Sequence, residues 1–155
     1  MRTLAWVYRK HLQSAYAGLH KSLQKEWAFM QWVTPGIVYA FGPIEKALRE
    51  TFFQALFEGL GQGAPGRGVT CLPVKQAGLA LPDPTLTAPE NRTASCVITG
   101  HLVAALRGQV EFRTADHLSC LREGRTAVWR WSTHRTEEAL TATIAEAPVQ
   151  GARQL

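Results

Sequence analysis

The sequence predicts a mainly α-helical fold: a helical bundle interrupted by a Gly/Pro-rich linker, with at most one short strand or hairpin. Three observations predict it. Apolar residues recur at spacings of three and four along most of the 155 residues, which is the spacing of one helix face. Helix-stopping Pro and Gly residues fall at the ends of those stretches. Strand-like character is confined to one short piece marked by a proline. Hydrophobic residues make up 46% of the chain, which argues against a disordered polypeptide. A domain of this length buries about two-thirds of its unfolded surface and needs neither disulfide nor metal to fold.

The first helix is expected from Thr3 to Val33. Leu4, Tyr8, Leu12, Ala15, Leu19, Leu23, Trp27 and Met30 share one face, and Lys10, Lys21 and Lys25 fall on the opposite side. Thr34-Pro35-Gly36 stops it, because the residue before a proline avoids helical angles. The second helix is expected to begin at Gly42-Pro43, with proline in its favoured first turn. Ile44, Ala47, Leu48, Phe52, Ala55, Leu56 and Leu60 form its core stripe, widened by Phe53 and Phe57.

Gly61 to Gly68 holds four glycines and a proline and reads as a mobile connection. Val69 to Val74 is expected as an edge strand, since Pro73 lacks the donor that an interior strand requires. Gly78 marks a turn, Leu79-Ala-Leu81 packs locally, and Pro82-Asp-Pro84 closes the segment. The third helix is expected near Thr87, where Thr87 and Glu90 have capping-box spacing. Ala94, Val97, Ile98, His101, Leu102, Ala105 and Leu106 line one face, and Gly108 ends it. The last helical region runs from Thr114 to Ala147, with Leu118, Leu121, Val128, Trp131, Leu140 and Ile144 inward and breaks expected at Gly124 and Ser132-Thr133. The chain so divides into an N-terminal helical pair (1–60), a linker with a short extended segment (61–86), a C-terminal helical region (87–147) and a loose tail (148–155).

The formal net charge is +5, which favours anionic partners. Its distribution says more than its sum. Residues 1–33 carry five basic side chains against Glu26 alone, whereas residues 111–155 carry six arginines and six acids. No apolar run approaches the roughly 20 residues of a membrane span, so no membrane partner is expected. Cys71, Cys96 and Cys120 are odd in number and widely spaced, with no secretory signal, so an intracellular, reducing setting is expected, in the nucleus or cytoplasm. The acid-free, basic and amphipathic first 25 residues also read as a mitochondrial presequence.

Candidate chemistry is sparse. The only aspartates, Asp83 and Asp116, are far apart in sequence, whereas two-metal phosphoryl transfer needs clustered acids. Glu137-Glu138 reads as a solvated helix face, since adjacent residues point about 100° apart. Cys96, His101, His117 and Cys120 have the spacing Cys-x4-His-x15-His-x2-Cys, which fits no common zinc pattern, and buried structural cysteines with partly buried histidines explain them better. No cofactor is expected. Nothing resembles a nucleophile elbow. Gly66-Arg-Gly68 is a basic loop that lacks the Lys-Ser/Thr of a P-loop, and a plain linker explains it. Two basic stretches remain. Lys10, Lys21 and Lys25, with His20 beside them, form a stripe suited to a phosphate backbone. Arg122, Arg125, Arg130 and Arg135 stand beside Trp129 and Trp131, a pairing that suits phosphates and stacked bases. The alternative for both is a solvated helix face over core tryptophans.

Several stretches carry a resemblance. Tyr16-Ala-Gly-Leu19, Lys21-Ser-Leu23, Gly42-Pro43 with Glu45, Ala47-Leu48, Leu72 to Pro84, Ser95-Cys-Val-Ile-Thr-Gly100 and Phe112 to His117 together resemble the region just after the catalytic palm in reverse transcriptases of non-LTR retrotransposons. The resemblance covers roughly Ala15 to Ala147 and includes no catalytic signature. It implies a thumb-like helical bundle whose ancestral role is gripping an RNA or DNA template-primer duplex. It also implies a non-catalytic fragment, since fingers, palm and their acids are missing, and a possible partner in the remainder of a reverse transcriptase. Lys10, Lys21 and Lys25 are the backbone contacts that it implies. The competing expectation is a helical protein-interaction module with no nucleic-acid role.

Overall fold

The computed structural model describes residues 11–57 and 66–146. Leu4, Tyr8, Lys10 and Leu60, most of the glycine-rich connection and the tail after Glu146 lie outside the described residues. The mainly α expectation is borne out, with no strand among the described residues.

Helix α1 (Leu12–Gly18) runs through a π turn (Leu19–Leu23) into α2 (Gln24–Val33). The π turn explains which side chains are buried. Ala15, Leu19, Leu23, Trp27 and Gln31 are spaced by four, and at 3.6 residues per turn each such step drifts about 40° around an α-helix. A wider turn takes up that drift, so the stripe stays on one face. Ala15, Leu19, Trp27 and Gln31 are buried, while Met30, expected inward, is exposed. Gln31 takes its place as an internal anchor. Its Nε2 donates to the Pro84 carbonyl at 2.9 Å and to Thr87 Oγ1 at 3.1 Å, and its Oε1 accepts from Asn91 Nδ2 at 2.7 Å.

After Gly36, at φ +66°, a 3-10 turn (Ile37–Phe41) leads into α3 (Gly42–Ala47), a second π turn (Leu48–Phe53) and α4 (Gln54–Phe57). Proline occupies the first turn of α3 as expected. Phe41, Leu48, Phe52 and Phe53 are buried against Leu19 and Trp27 in the core.

The segment expected as a strand is helical. Helix α5 (Arg67–Cys71) is followed by a 3-10 turn (Val74–Gln76). The chain then doubles back, with Ala80 N–H donating to the Leu72 carbonyl at 2.8 Å and Leu81 N–H to the Thr70 carbonyl at 3.1 Å. Gly78 makes this reversal fit, because a Cβ there would lie 2.1 Å from the Leu72 carbonyl oxygen.

Helix α6 (Pro84–Leu106) begins three residues before the expected cap. Asp83 is the N-cap, its Oδ1 accepting from Thr85 N–H at 2.8 Å, and Pro84 supplies a first-turn backbone already set for a helix. Thr87 sits one turn in, buried, with its hydroxyl against Gln31. Helix α7 (Thr114–Glu146) returns along α6 after Gly108 at φ +70°. It is unbroken. At Gly124 a Cβ would lie 2.3 Å from Ile98 Cγ1, so the glycine admits α6 rather than ending α7. Thr133 and Thr136 Oγ1 donate to the Trp129 and Ser132 carbonyls, which keeps both hydroxyls inside the helix. The pair is 23 and 33 residues long, against 10 for α2. Its ends therefore outrun the core, and Leu102, Leu106, Leu118 and Ile144, expected inward, are exposed.

Candidate nucleic-acid interface

Arg67 and Arg49 are paired with carboxylates where they stand. Buried Glu45 on α3 accepts from Arg67 Nε at 2.8 Å and Nη2 at 2.9 Å, and from Arg49 Nε at 2.6 Å. Arg67 Nη1 also donates to Thr70 Oγ1 at 2.7 Å and to the Leu81 carbonyl at 2.5 Å, and the guanidinium lies 5.0 Å from the centre of the Phe53 ring. Arg49 Nη2 approaches Asp83 Oδ2 at 3.6 Å. Its hydrogen bond to Glu45, with the charges of Glu45 and Asp83, raises its pKa. Arg67 is thus the centre of a salt-bridge cluster, which corrects the reading of Gly66-Arg-Gly68 as a loose linker.

A cavity of about 570 Å³ lies beside this cluster, walled by Gln24, Arg67, Cys71, Pro82, Arg135 and Ala139. Arg135 pairs across to Glu90 on α6, and burial lowers its pKa. The arginines facing the cavity are therefore matched by Glu45, Asp83 and Glu90, leaving little net charge for a phosphate. Burial pushes the Cys71 thiol up, so it is a poor thiolate source.

The outer cations differ. Lys21 and Lys25 are exposed on the first helix, and Arg122, Arg125 and Arg130 are exposed on α7. No ion pair with another described residue engages any of the five. His20 lies beside the lysines, stacked on Tyr16 at 5.5 Å between ring centres. Burial lowers its pKa, and the charges of Lys21 and Lys25 add to that effect. The expected Arg/Trp stretch divides. Arg135 turns inward to Glu90, Trp131 is half-buried, and Trp129 is 67% exposed. Lys10 lies outside the described residues.

Aspartates and metal candidates stay apart. Asp83 caps α6 and Asp116 lies in the first turn of α7, at the other end of the helical pair. At 1.5 Å per residue, α6 alone separates them by about 33 Å. His101 Nε2 accepts from Arg113 N–H at 3.0 Å, and Cys96 is exposed rather than buried. Among the described residues no group of three or more His, Cys, Asp or Glu side chains is placed to hold a metal ion, and all three cysteines are free thiols. No helix among them is long and apolar enough to cross a membrane.

Two features escaped the sequence reading. Glu45 and Arg67 lie 22 residues apart, with no local pattern to link them. Phe29 and Tyr39 are 64% and 84% exposed. For Phe29 a signal existed: Lys21, Lys25, Phe29 and Val33 repeat at intervals of four, offset from the buried stripe.

No family model, curated protein or solved structure matches the chain.

Proposed function

We propose that this chain binds nucleic acid through the exposed cations of its first helix and of α7, and carries no polymerase chemistry of its own. The observation that carries the reading is the sorting of cations. Arg67 and Arg135 have carboxylate partners on other helices, whereas Lys21, Lys25, Arg122, Arg125 and Arg130 face solvent without one among the described residues. Such cations release counterions from a phosphate backbone when they bind it. The reading accords with the resemblance to the post-palm region of retrotransposon reverse transcriptases, in which this part grips nucleic acid and the palm performs the chemistry. The separation of Asp83 from Asp116 supports the absence of a two-metal centre formed by these aspartates.

The test is salt-dependent binding of the purified chain to DNA and RNA. Affinity should fall linearly on logarithmic axes as salt rises, with a slope of about −0.9 per phosphate neutralised on B-DNA. Lys21→Glu with Lys25→Glu, and separately Arg122→Glu with Arg125→Glu, should weaken binding and flatten that slope while leaving the helical content unchanged. Unchanged binding in both double variants would remove the assignment. Magnesium-dependent primer extension by the chain alone would overturn its second half.

A helical protein-interaction module is the competing function. Leu102, Val103, Leu106, Val110, Phe112 and Leu118 are all exposed around the turn between α6 and α7, and that favours it. Failure to bind any nucleic acid at low salt would turn attention to this apolar end.

A further inference from the structure

We propose that the nucleic acid held here is single-stranded, with Phe29, Tyr39 and Trp129 as base-stacking platforms beside Lys21, Lys25, Arg122 and Arg125. The inference rests on the nucleic-acid reading above but replaces the duplex that the resemblance implies with a single strand. Phe29, Tyr39 and Trp129 are 64%, 84% and 67% exposed. Scattered surface aromatics are ordinary, but Phe29 and Trp129 each follow two cations along one helix face. Lys21, Lys25 and Phe29 stand at intervals of four along one face, and Tyr39 lies in the turn just after that helix. Arg122, Arg125 and Trp129 stand at intervals of three and four on α7, again on one face. Each run therefore ends in an aromatic ring that follows two cations.

The opposite charge that complements these runs is phosphate. The form of nucleic acid follows from the rings. In a duplex the base faces are stacked on each other, and an exposed phenyl or indole meets only backbone and groove edges. A single strand presents open base faces next to its phosphates, and cationic grooves studded with aromatics are the usual means of holding it. The cavity beside Arg67 adds nothing to this, because its charges are already matched.

The experiment compares a fluorescein-labelled oligothymidine with a duplex of equal length, by anisotropy, at one low salt concentration. The single strand should bind more tightly. Phe29→Ala, Tyr39→Ala and Trp129→Ala should each weaken single-strand binding by about five- to a hundredfold, the range for losing one stacked base. Duplex binding should hardly change in the same variants. All three side chains are largely exposed, so the fold should survive, and far-UV circular dichroism checks it. Equal affinity for both forms, with single-strand binding unmoved by the alanine variants, would overturn the inference and leave the nucleic-acid reading standing. Binding to neither form, wild-type chain included, would remove both.

Discussion

Arg67 meets Glu45 through two parallel nitrogen–oxygen contacts, at 2.8 and 2.9 Å, and so ties α5 to α3 across 22 residues of sequence. Both side chains are close to fully buried, 12% and 9% exposed. A bidentate contact of this kind is strong because its two hydrogen bonds share one plane. It is also unforgiving of the loss of Glu45, which leaves the buried Arg67 charge without a carboxylate, whereas loss of Arg67 leaves Glu45 its contact with Arg49.

Glu45→Ala should therefore lower stability by about 3–5 kcal/mol, and Arg67→Ala by less, because Arg49 still pairs with Glu45. The double variant should lose clearly less than the sum, because neither charge is then stranded. Urea unfolding of the four proteins measures this. Strictly additive losses would show that the two residues act independently.

Gly124 should behave against its helix propensity. In an exposed helix, alanine in place of glycine gains about 1 kcal/mol. Here the added Cβ would sit 2.3 Å from Ile98 Cγ1 and 3.2 Å from the Ala94 carbonyl oxygen. Gly124→Ala should cost about 1–3 kcal/mol through overpacking. In an Ile98→Ala background the same change should be neutral or stabilising. Thermal unfolding in both backgrounds reads the change of sign.

Gln31 holds α2 against α6 with a buried amide whose two ends are both used. Gln31→Leu fills similar space but leaves the Pro84 carbonyl and the Asn91 amide without this partner. The expected loss is about 1–3 kcal/mol for each group stranded out of reach of water. Amide hydrogen exchange should rise in the first turns of α6 before it rises in the rest of that helix.

His20 should titrate below its ordinary pKa of about 6.5, because burial, then Lys21, then Lys25 disfavour its protonated form. The folded pKa is the lower one, so the unfolded chain binds the proton first as pH falls. This residue's contribution is fully kept above about 6.5 and is lost progressively as pH drops towards the folded value. Proton-detected titration of the imidazole gives the pKa directly. Lys21→Ala with Lys25→Ala should raise it, and so should phosphate backbone bound at those lysines. A pKa at or above the ordinary value in the wild-type chain would contradict the arrangement.

Local backbone chemistry made much of the helical layout readable. Pro35 stops α2, Pro43 opens α3 and Gly108 closes α6 by constraints that act within a few residues, and each stands in the structure where those constraints put it. Errors arose where a local signal was overridden from a distance. Thr87 and Glu90 have the spacing of a cap, but Asp83 and Pro84 start the helix earlier, and Thr87 is held by Gln31 from another helix. Gly124 reads as a break until Ile98 is placed against it. The strand expected from Val69 to Val74 is a helix and a turn, since the partners of its carbonyls are Ala80 and Leu81 rather than a sheet.

The candidate interface divides along the same line. Amino-acid order alone settled that the chain is helical, that its cations cluster, and that paired aspartates are missing, because composition and spacing along a helix need no third dimension. Only tertiary packing decided which cations remain available. Arg67 and Arg135 look no different in sequence from Arg122 and Arg125, yet the first two meet Glu45 and Glu90 and the others meet solvent. A charge is neutralised by whichever carboxylate the fold brings within a few ångströms, and for Arg67 and Arg135 that carboxylate comes from another helix.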